Sequence, residues 1–454
     1  MNRSPGGDQR PVDPSALNLS GGSAQDAVRQ AKRYRYWICA VIFLCYLLVF
    51  FHRLCPAVIA LDIQTTFDLS DTVLGVLGSA YFYPYALLQM PTGILADSWG
   101  SRKTVATSFL VAALGALLMG LAPSLGWAVL GRVLVGAGVA TVFVCNFKLL
   151  SQWFCVPRFV IMGSLFMAVG GVGALSAGVP LAWLSGLMGW RATMVAVAGF
   201  TLLMAVVAYL VVRDEPRRMG WPVLNQQLGQ GRQAPGAPRA AELWAGVKEV
   251  AGARRFWPPS FWAFCITGLA FAISGLWGGP YLMEVYGLSK AAAGGVLSTF
   301  ALALLAGTPV LGALANRLGR KPVLTACSGL SVAVFLVFFL FPGSLPLWLL
   351  YILFFAMCLG SVATGPLLAT ISKELFRIEI AGTSVGMVNL FPFLGAALLQ
   401  IAMGWIISWC KATAGGSAVL AYKMMFLFAL LVSAASLLFA WFLTETKPRS
   451  AAAD

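Results

Sequence analysis

Charged residues are scarce in this chain, and acids are the scarcer kind. Asp, Glu, Lys and Arg make up 10% of its 454 residues, against 59% hydrophobic residues, with 31 Lys and Arg but only 16 Asp and Glu. A soluble domain carries about 25% charged residues, so this composition indicates a membrane protein. The cations stand in alternate short loops between apolar runs, a pattern typical of cytoplasmic loops rather than of a nucleic-acid-binding surface.

Motifs for catalysis, metal binding and ATP binding are also sparse. The chain has one histidine, and its nine cysteines form neither CxxC pairs nor Cys/His metal spacing. It has no HExxH motif and no Gly-x-x-x-x-Gly-Lys-Ser/Thr loop. We therefore expect neither an enzyme nor an ATP-driven pump, and no metal or cofactor. The opening residues lack the short apolar core of a cleaved signal peptide.

Twelve apolar runs reach the length of about 20 residues that a membrane-spanning helix needs. We expect an all-α membrane protein with helices over 36–62, 72–95, 104–122, 127–154, 160–184 and 191–213, then 256–283, 291–315, 323–342, 347–374, 380–409 and 420–443. These define two six-helix bundles, 36–213 and 256–445. The predicted connections are a disordered tail (1–35), a hydrophilic linker (214–255) and a short tail (446–454).

The loops predict the orientation of the bundle. Basic residues follow even-numbered helices, as with Arg102, Lys103 and Arg320, whereas the loop 63–71 carries two acids and no cation. Both termini, the linker and both tails are therefore expected in the cytoplasm. Composition gives no reason to expect more than a monomer.

One stretch occurs twice. Gly93-Ile-Leu-Ala-Asp97-Ser-Trp-Gly100-Ser-Arg102-Lys103 returns as Gly312-Ala-Leu-Ala-Asn316-Arg-Leu-Gly319-Arg320-Lys321, and the offset is 219 at both glycines (312 minus 93, 319 minus 100). The same offset places Ser289 at the position of Ser70. A shared offset over some thirty positions indicates one structural unit used twice. Two similar membrane halves predict a transport site between them.

The repeated turn, the twelve spans and the central linker resemble the major facilitator superfamily, over nearly the whole chain. The second copy departs from the pattern at Asn316, where an amide replaces the acid. Arg132, followed by glycines four and six residues on, is similar to the helix-4 motif of that superfamily. The resemblance implies that the turns gate the cytoplasmic side, with Asp97 and Arg102 as a charge pair. The expected gating residues are Gly93, Asp97, Gly100, Arg102, Lys103, Arg132, Gly312, Asn316, Gly319, Arg320, Lys321, Lys373 and Glu374.

An ionisable side chain inside a span is costly and predicts a functional site. Arg53 lies some 25 Å along helix 1 from Trp37, at 1.5 Å per residue, too deep for easy contact with the cytoplasmic surface. Its always-charged guanidinium matches a carboxylate or phosphate, so we expect an anionic substrate. An internal ion pair or bonding to carbonyls is the alternative role. His52 is a candidate for carrying a coupling proton or for a plain hydrogen bond.

A narrower resemblance, carried by Arg53, Tyr81–Tyr85 and Gln89–Gly93, links the chain to the organophosphate and organic-anion branch. The helix-7 arginine of sugar-phosphate exchangers is missing, and His52 and Val139 stand where proton-coupled sugar-acid members carry acids. Lys148 is predicted as a second anion contact or as a side chain reaching the cytoplasmic surface. The expected substrate-binding residues are Arg53, Lys148, Tyr81, Tyr85, Asn146, Trp277, Tyr281 and Asn389.

The sequence thus predicts a secondary transporter that moves a small organic anion across the bacterial cytoplasmic membrane by alternating access, with a proton as candidate coupling ion. Transport of an amino acid, short peptide or other zwitterion is the alternative, since its carboxylate would also suit Arg53. An exporter of drug-like cations ranks lower, because helices 1, 4 and 5 lack a deeply placed acid. A membrane enzyme ranks lowest.

Overall fold

The structure, a computed structural model, describes residues 21–219, 221, 240–361, 364–377, 380–413 and 415–446. Every regular element in these ranges is a helix, so the all-α prediction is confirmed. Parts of the predicted tails and linker lie outside the described residues.

The first half forms six membrane helices, several of them in two pieces. Helix 1 is Gly21–Leu54 and Pro56–Phe67; helix 2 is Asp71–Ser79 and Phe82–Ser98; helix 3 is Ser101–Leu121; helix 4 is Leu125–Ala140 and Val142–Trp153. Helix 5 is Val156–Ser176 together with the start of Val179–Val211. Gly189, at φ 78°, breaks that segment, and its remainder is helix 6.

The second half repeats the arrangement. Helix 7 is Trp257–Ala272 and Gly278–Tyr286, joined by the π-helical Ile273–Trp277. Helix 8 is Lys290–Leu297, Thr299–Leu302 and Thr308–Leu318, with π-helical Ala303–Gly307. Helix 9 is Arg320–Leu340, helix 10 is Leu347–Leu359 and Gly365–Leu375, helix 11 is Ala381–Thr413, and helix 12 is Ala418–Trp441.

Nine described segments are individually long and apolar enough to cross a membrane. One of them, Ile161–Val211, holds helices 5 and 6 on either side of Gly189. Helices 2 and 10 are missing from the nine because each is interrupted by at least two non-helical residues, at 80–81 and 360–361, whereas helices 4 and 8 are interrupted by one residue at 141 and 298. Counting these, the described chain contains the twelve predicted helices.

Two predicted connections are partly helical. Helix 1 begins at Gly21, well before the predicted start at residue 36, so the part of the tail from 21 onward is not the disordered segment we expected. The linker contains the helix Ala240–Gly252, in which four of the 13 residues are Ala and two are Glu, residue types that favour helix. It lies against helix 11, with Val250 buried and Arg377 paired to Glu249 at 2.7 Å.

The internal repeat is visible in the backbone. Ser70 accepts a hydrogen bond from Val73 N at the start of helix 2, and Ser289 does the same for Ala292 N at the start of helix 8. Both residue pairs keep the offset of 219 (289 minus 70, 292 minus 73). The turns before them use left-handed residues at equivalent places, 68 and 287, and the turns after them use left-handed glycines at 100 and 319. The prediction of one unit used twice is confirmed.

The two halves are tightly packed at the end that the loops predict to face outward, called here the outer end. A Cβ on Gly279 of helix 7 would stand 1.6 Å from the carbonyl oxygen of Ala57 on helix 1. A Cβ on Gly404 of helix 11 would stand 2.5 Å from the carbonyl oxygen of Asp71. Glycine is required at such backbone contacts, and they close the space between the halves at this end.

Ion pairs reinforce the outer end. Lys411 of helix 11 contacts Asp71 of helix 2 at 3.2 Å and Glu284 of helix 7 at 2.8 Å. Lys290 of helix 8 contacts Asp62 of helix 1 at 2.5 Å. Among the described residues, the ion pairs that join the two halves are those of Lys411 with Asp71 and of Lys290 with Asp62.

Candidate functional site

The side chain of Arg53 lies between the two halves, enclosed by aromatic rings. Its guanidinium carbon is 4.8 Å from the ring centres of Phe50 and Tyr85, on helices 1 and 2. It is 5.1 Å from those of Phe271 and Phe393, on helices 7 and 11. We call these four rings the aromatic cage. Each half supplies two of them, so the predicted central cation stands where the halves meet.

Arg53 is 4% exposed and has no carboxylate partner in the described part of the chain. Its Nε donates no hydrogen bond there. A buried charge without a partner is costly, and ring faces offset only part of that cost, up to about 2 kcal/mol per desolvated contact. The internal ion pair considered as its alternative role is therefore not formed. The arrangement leaves the guanidinium able to receive an anion.

Helix 1 breaks just beyond Arg53, and the break explains Arg132. Pro56 has no N–H, so the carbonyl of His52, four residues earlier, lacks its helical donor. Arg132 on helix 4 donates to that carbonyl from Nη1 at 3.0 Å, and its guanidinium lies 4.8 Å from the ring centre of Tyr81. The predicted gating residue thus ties helix 4 to the break in helix 1. A cavity of about 10 Å³ beside it has room for a water at most.

His52 points away from the aromatic cage. Its Nε2 lies 3.0 Å from the hydroxyl of Thr201 on helix 6, inside the first half. That hydroxyl donates its own proton to Val197 O at 2.8 Å, so the imidazole N–H is the donor between them. The geometry matches the plain hydrogen bond that the sequence left open.

Tyr81 and Tyr85 lie side by side on helix 2. Their ring centres are 5.7 Å apart and both rings are buried. Tyr85 forms a wall of the cage, whereas the ring of Tyr81 faces Arg132 and its hydroxyl lies near the guanidinium of Arg53. The structure brings Arg53 and both tyrosines together, as expected for one site.

Three amide side chains, Gln89, Asn389 and Gln400, lie between the halves near the cage. Asn389 on helix 11 donates from Nδ2 to Oε1 of Gln89 on helix 2 at 3.3 Å. Gln400, also on helix 11, is fully buried, and neither of its amide atoms has a partner among the described residues. The sequence analysis included Asn389 but missed Gln400. A lone amide in the apolar run Leu398-Leu-Gln-Ile-Ala is the signal that would have found it.

The other predicted binding residues lie elsewhere. Lys148 contacts Asp97 at 2.6 Å and Ala96 O at 2.7 Å, at the predicted cytoplasmic end of helix 2. Asn146 donates to Ile42 O at 2.9 Å, which fastens helix 4 to helix 1. Trp277 donates to Gln400 O at 3.0 Å, and Tyr281 donates to Pro342 O at 2.7 Å. Within this structure, none of these four polar groups bonds to a side chain of the cage.

The predicted charge pair of Asp97 with Arg102 is wrong for this structure, because Asp97 forms its ion pair with Lys148. The backbone N–H of Arg102 instead donates to Asp214 Oδ1 at 2.8 Å, and its Nε donates to Tyr209 O at 2.7 Å. Asp214 follows helix 6 and fills the space where a Cβ on Gly100 would stand, 2.6 Å from its Oδ2. An acid at a helix N-terminus satisfies its free N–H groups and its dipole.

The second repeat builds the same cap with another residue. Glu445, after helix 12, accepts from the backbone N–H groups of Arg320 and Lys321 at 3.0 Å each, beside Gly319. The side chain of Arg320 contacts Glu374 at 2.6 Å, while Lys373 is exposed. Glu374 therefore pairs across to helix 9 rather than with its neighbour. In the described chain, the ion pairs at this end stay within one half.

One serine lies in a sequence motif that is also found in hydrolases. Gly382-Thr-Ser384-Val-Gly386 has the spacing Gly-x-Ser-x-Gly. Hydrolases place such a serine on a strand-to-helix turn, but Ser384 is buried in the first turns of helix 11 and donates to Ser372 O at 2.8 Å. This serine is a helix contact.

The chain matches the model of the Major Facilitator Superfamily over residues 42–399 and 279–454. This protein belongs to that superfamily. It is a multi-pass membrane transporter and not an enzyme. The superfamily prediction is confirmed by the match, and the narrower resemblance is supported by the relatives that follow.

Two relatives and one solved structure are similar to the chain over most of its length. The membrane sensor protein UhpC of Escherichia coli K12 is 26% identical over 82% of this chain and 86% of its own. The probable galactarate/D-glucarate transporter GudP of the same organism is 22% identical over 85% of this chain and 89% of its own. A bacterial homologue of the human lysosomal transporter Spinster, in an inward-facing unoccupied conformation, superposes with a TM-score of 0.72 at 19% identity, covering 90% of this chain and 96% of its own.

Proposed function

We propose that this protein moves a small carboxylate-bearing organic anion across the membrane by alternating access. The observation that carries the proposal is the unpaired guanidinium of Arg53 between the halves, inside the aromatic cage. An anion that enters the cage supplies the missing partner. A site shared by both halves is where a rocking motion exposes a substrate to each side in turn.

The name of GudP, a probable galactarate/D-glucarate transporter, supports a carboxylate substrate. The cage also disfavours a zwitterion or a cation. Either would bring a positive group next to Arg53, and the described chain offers no carboxylate there to receive it. The acids nearest the interface, Asp62, Asp71 and Glu284, lie at the outer end and are engaged by lysines.

The orientation and coupling are part of the proposal. Both termini face the cytoplasm of a bacterial inner membrane, on the support of the basic loops. The protein works as a monomer, because both halves of the cage come from one chain. A proton is the candidate coupling ion, and we propose that a group other than His52 carries it, because the imidazole of His52 bonds to Thr201 within the first half.

Uptake by purified protein in sealed proteoliposomes tests this function. The labelled substrates would be a dicarboxylate, a hydroxycarboxylate, a sugar phosphate, an amino acid and a lipophilic cation, each with and without an imposed pH gradient. We expect a carboxylate to accumulate with wild type and not with Arg53→Met. Preferred uptake of the amino acid or the cation would contradict the proposal.

The relationship to a membrane sensor gives the assay a second use. UhpC is named a membrane sensor protein, and a sensor need not move the molecule that it binds. Binding of a carboxylate to wild type with no uptake in either direction would replace transport by sensing. Uptake at a rate above that of empty vesicles would exclude that reading.

A further inference from the structure

Gln400 is a fully buried polar side chain at the interface of the halves, and both of its amide atoms are unpaired in the described part of the chain. It is 0% exposed, and neither Nε2 nor Oε1 has a hydrogen-bond partner among the described residues. Leaving a buried amide unpaired costs about 1–3 kcal/mol per group. A ligand or a water molecule can supply the hydrogen bonds that the chain does not. At a transport site, that partner is the substrate or a water bound with it.

The amide lies close to the cage. A Cβ on Gly275 of helix 7 would stand 3.5 Å from Gln400 Nε2, 3.6 Å from Arg53 O and 3.9 Å from the ring of Phe82. The ring of Phe82 stacks on Phe271 and Phe393, with centroids 6.2 and 6.5 Å away. Gln400 follows Phe393 by seven residues, about 10 Å along helix 11 at 1.5 Å per residue. The amide therefore lies on the outer side of Arg53, beside the backbone of that residue.

Two glycines keep room beside the amide. A Cβ on Gly78 of helix 2 would meet Gln400 Oε1 at 2.9 Å, and one on Gly275 would approach Nε2. Gly275 belongs to the π-helical segment Ile273–Trp277, an irregularity that is frequent at functional sites. The amide is thus flanked by both halves, as the guanidinium is.

The bonding needs of the amide select a chemical group. An amide presents two N–H donors and one carbonyl acceptor, whichever way it is turned. A carboxylate offers acceptors only and would leave the carbonyl unpaired and repelled. A hydroxyl accepts from the N–H and donates to the carbonyl, so it satisfies both.

We propose that Gln400 binds a hydroxyl of the substrate while Arg53 binds its carboxylate, and that Gln400 thereby selects hydroxycarboxylates over the matching acids without hydroxyls. The proposal rests on the proposed function and deepens it. A site built to bond a hydroxyl rejects the analogue that lacks it, because the amide is then left unpaired.

Matched acids test the selection. Purified full-length wild type and Gln400→Met are titrated with three pairs of acids: tartrate and succinate, D-glucarate and adipate, lactate and propionate. For each acid, the measurement is the concentration that gives half of the maximal rise in unfolding temperature. Wild type is expected to bind at least one hydroxylated acid about tenfold or more tightly than its partner. Gln400→Met is expected to bind the two members of that pair within about threefold of each other, at the affinity of the plain acid.

The unfolding temperature of ligand-free Gln400→Met shows whether the amide is needed for ligand preference or for stability of the fold. Methionine has a similar length and no hydrogen-bonding amide, so ligand-free Gln400→Met should unfold at the wild-type temperature or above it. A fall in that temperature, or a failure to fold, would assign the amide a structural bond and overturn the proposal. Gln152→Met, at a half-buried glutamine near the predicted cytoplasmic end of helix 4, should keep the wild-type preference.

The remaining outcomes distinguish the two proposals. A preference for the hydroxylated acid that survives in Gln400→Met overturns the role of Gln400. Equal binding of both members of every pair by wild type overturns it too, while carboxylate binding itself stands. If no carboxylate stabilises wild type, the proposed function fails, and the selection by Gln400 fails with it.

Discussion

At the scale of single residues, the cage gives Arg53 favourable contacts both without and with a bound substrate. Without substrate, four ring faces offset part of the cost of burying the guanidinium. With substrate, a carboxylate forms charge-assisted hydrogen bonds with it. A residue that is tolerable in both states suits a transporter, because the substrate must leave as well as bind. An acid fixed beside Arg53 would remove that balance.

Arg132 supplies the hydrogen bond to His52 O that the backbone of Pro56 cannot donate. Replacing it by methionine should cost about 2 kcal/mol of unfolding free energy, since a bond from a charged group to a buried carbonyl is lost. In a Pro56→Ala background, the new backbone N–H serves His52 O, and the cost of Arg132→Met should fall by about 1 kcal/mol. Denaturant unfolding of the four proteins in one detergent measures this coupling.

A second proline provides the control for that cycle. Pro91 interrupts the bonding inside helix 2, and Pro91→Ala should leave the cost of Arg132→Met unchanged. Equal costs of Arg132→Met in the wild-type and Pro56→Ala backgrounds would show that the contact with His52 O is not the reason for the arginine.

The position of His52 makes a prediction about pH. Its imidazole is buried against Thr201 inside the first half rather than between the halves. We therefore expect His52→Gln to keep the pH profile of uptake, although the rate itself can change. Uptake in proteoliposomes from pH 5 to 8 measures this. A loss of pH dependence in the variant would make the histidine the proton carrier after all.

The sequence predicts some of these residues and not others, for a physical reason. Arg53 could be found because a charge in an apolar run is costly wherever it points. The roles of Tyr281 and Asn146 could not be predicted, because a buried hydroxyl or amide bonds a helix neighbour as readily as a substrate. Phe271 and Phe393 were missed since an aromatic residue in a span carries no signal of the cation it faces.

At the scale of elements, the two repeats close the outer end with opposite charges. Asp71 and Lys290 occupy equivalent positions, 219 residues apart (290 minus 71), at the starts of helices 2 and 8. Each reaches into the other half, Asp71 to Lys411 and Lys290 to Asp62. The repeat therefore supplies one anion and one cation to the interface, so that the halves attract each other at this end.

Reversing one charge should open the outer end. In Lys290→Asp, two carboxylates face each other, and we expect a cysteine placed at buried Ala60 to react about fivefold or more faster with an impermeant thiol reagent. The double variant Lys290→Asp with Asp62→Lys restores an opposite-charge pair and should return the rate towards that of wild type.

A remote reversal serves as the control for this experiment. Lys248 is exposed on the linker helix Ala240–Gly252, and Lys248→Asp should leave labelling at position 60 unchanged. Fast labelling in the double variant, equal to that in Lys290→Asp, would show that the lysine acts through packing rather than through its charge.

Element boundaries were predicted less well than element order. The offset of 219 predicted equivalent turns, and the left-handed residues at 68, 100, 287 and 319 confirm it. The start of helix 1 at Gly21 was missed because residues 21–35 are polar, and a hydropathy criterion ends a helix where the lipid ends. The helix in the linker was missed for the same reason.

At the scale of the whole molecule, the structure is closed at the outer end. Backbone contacts at Gly279 and Gly404 and two ion pairs join the halves there. At the other end, the described ion pairs of Asp97 and Arg320 stay within their own halves. Movement of the halves about the cage would exchange the two ends.

The central claim is that Arg53 is the anchor for a carboxylate, and thermal unfolding with and without carboxylates tests it most directly. Arg53→Met should unfold at the wild-type temperature or above it without ligand, because a buried unpaired charge is removed, and it should lose stabilisation by the acid that protects wild type. Arg191→Met is the control, since Arg191 donates to Ala122 O at 2.7 Å at the end of helix 3. It should unfold earlier and keep the response. Equal stabilisation of wild type and Arg53→Met by the same acid would contradict the account.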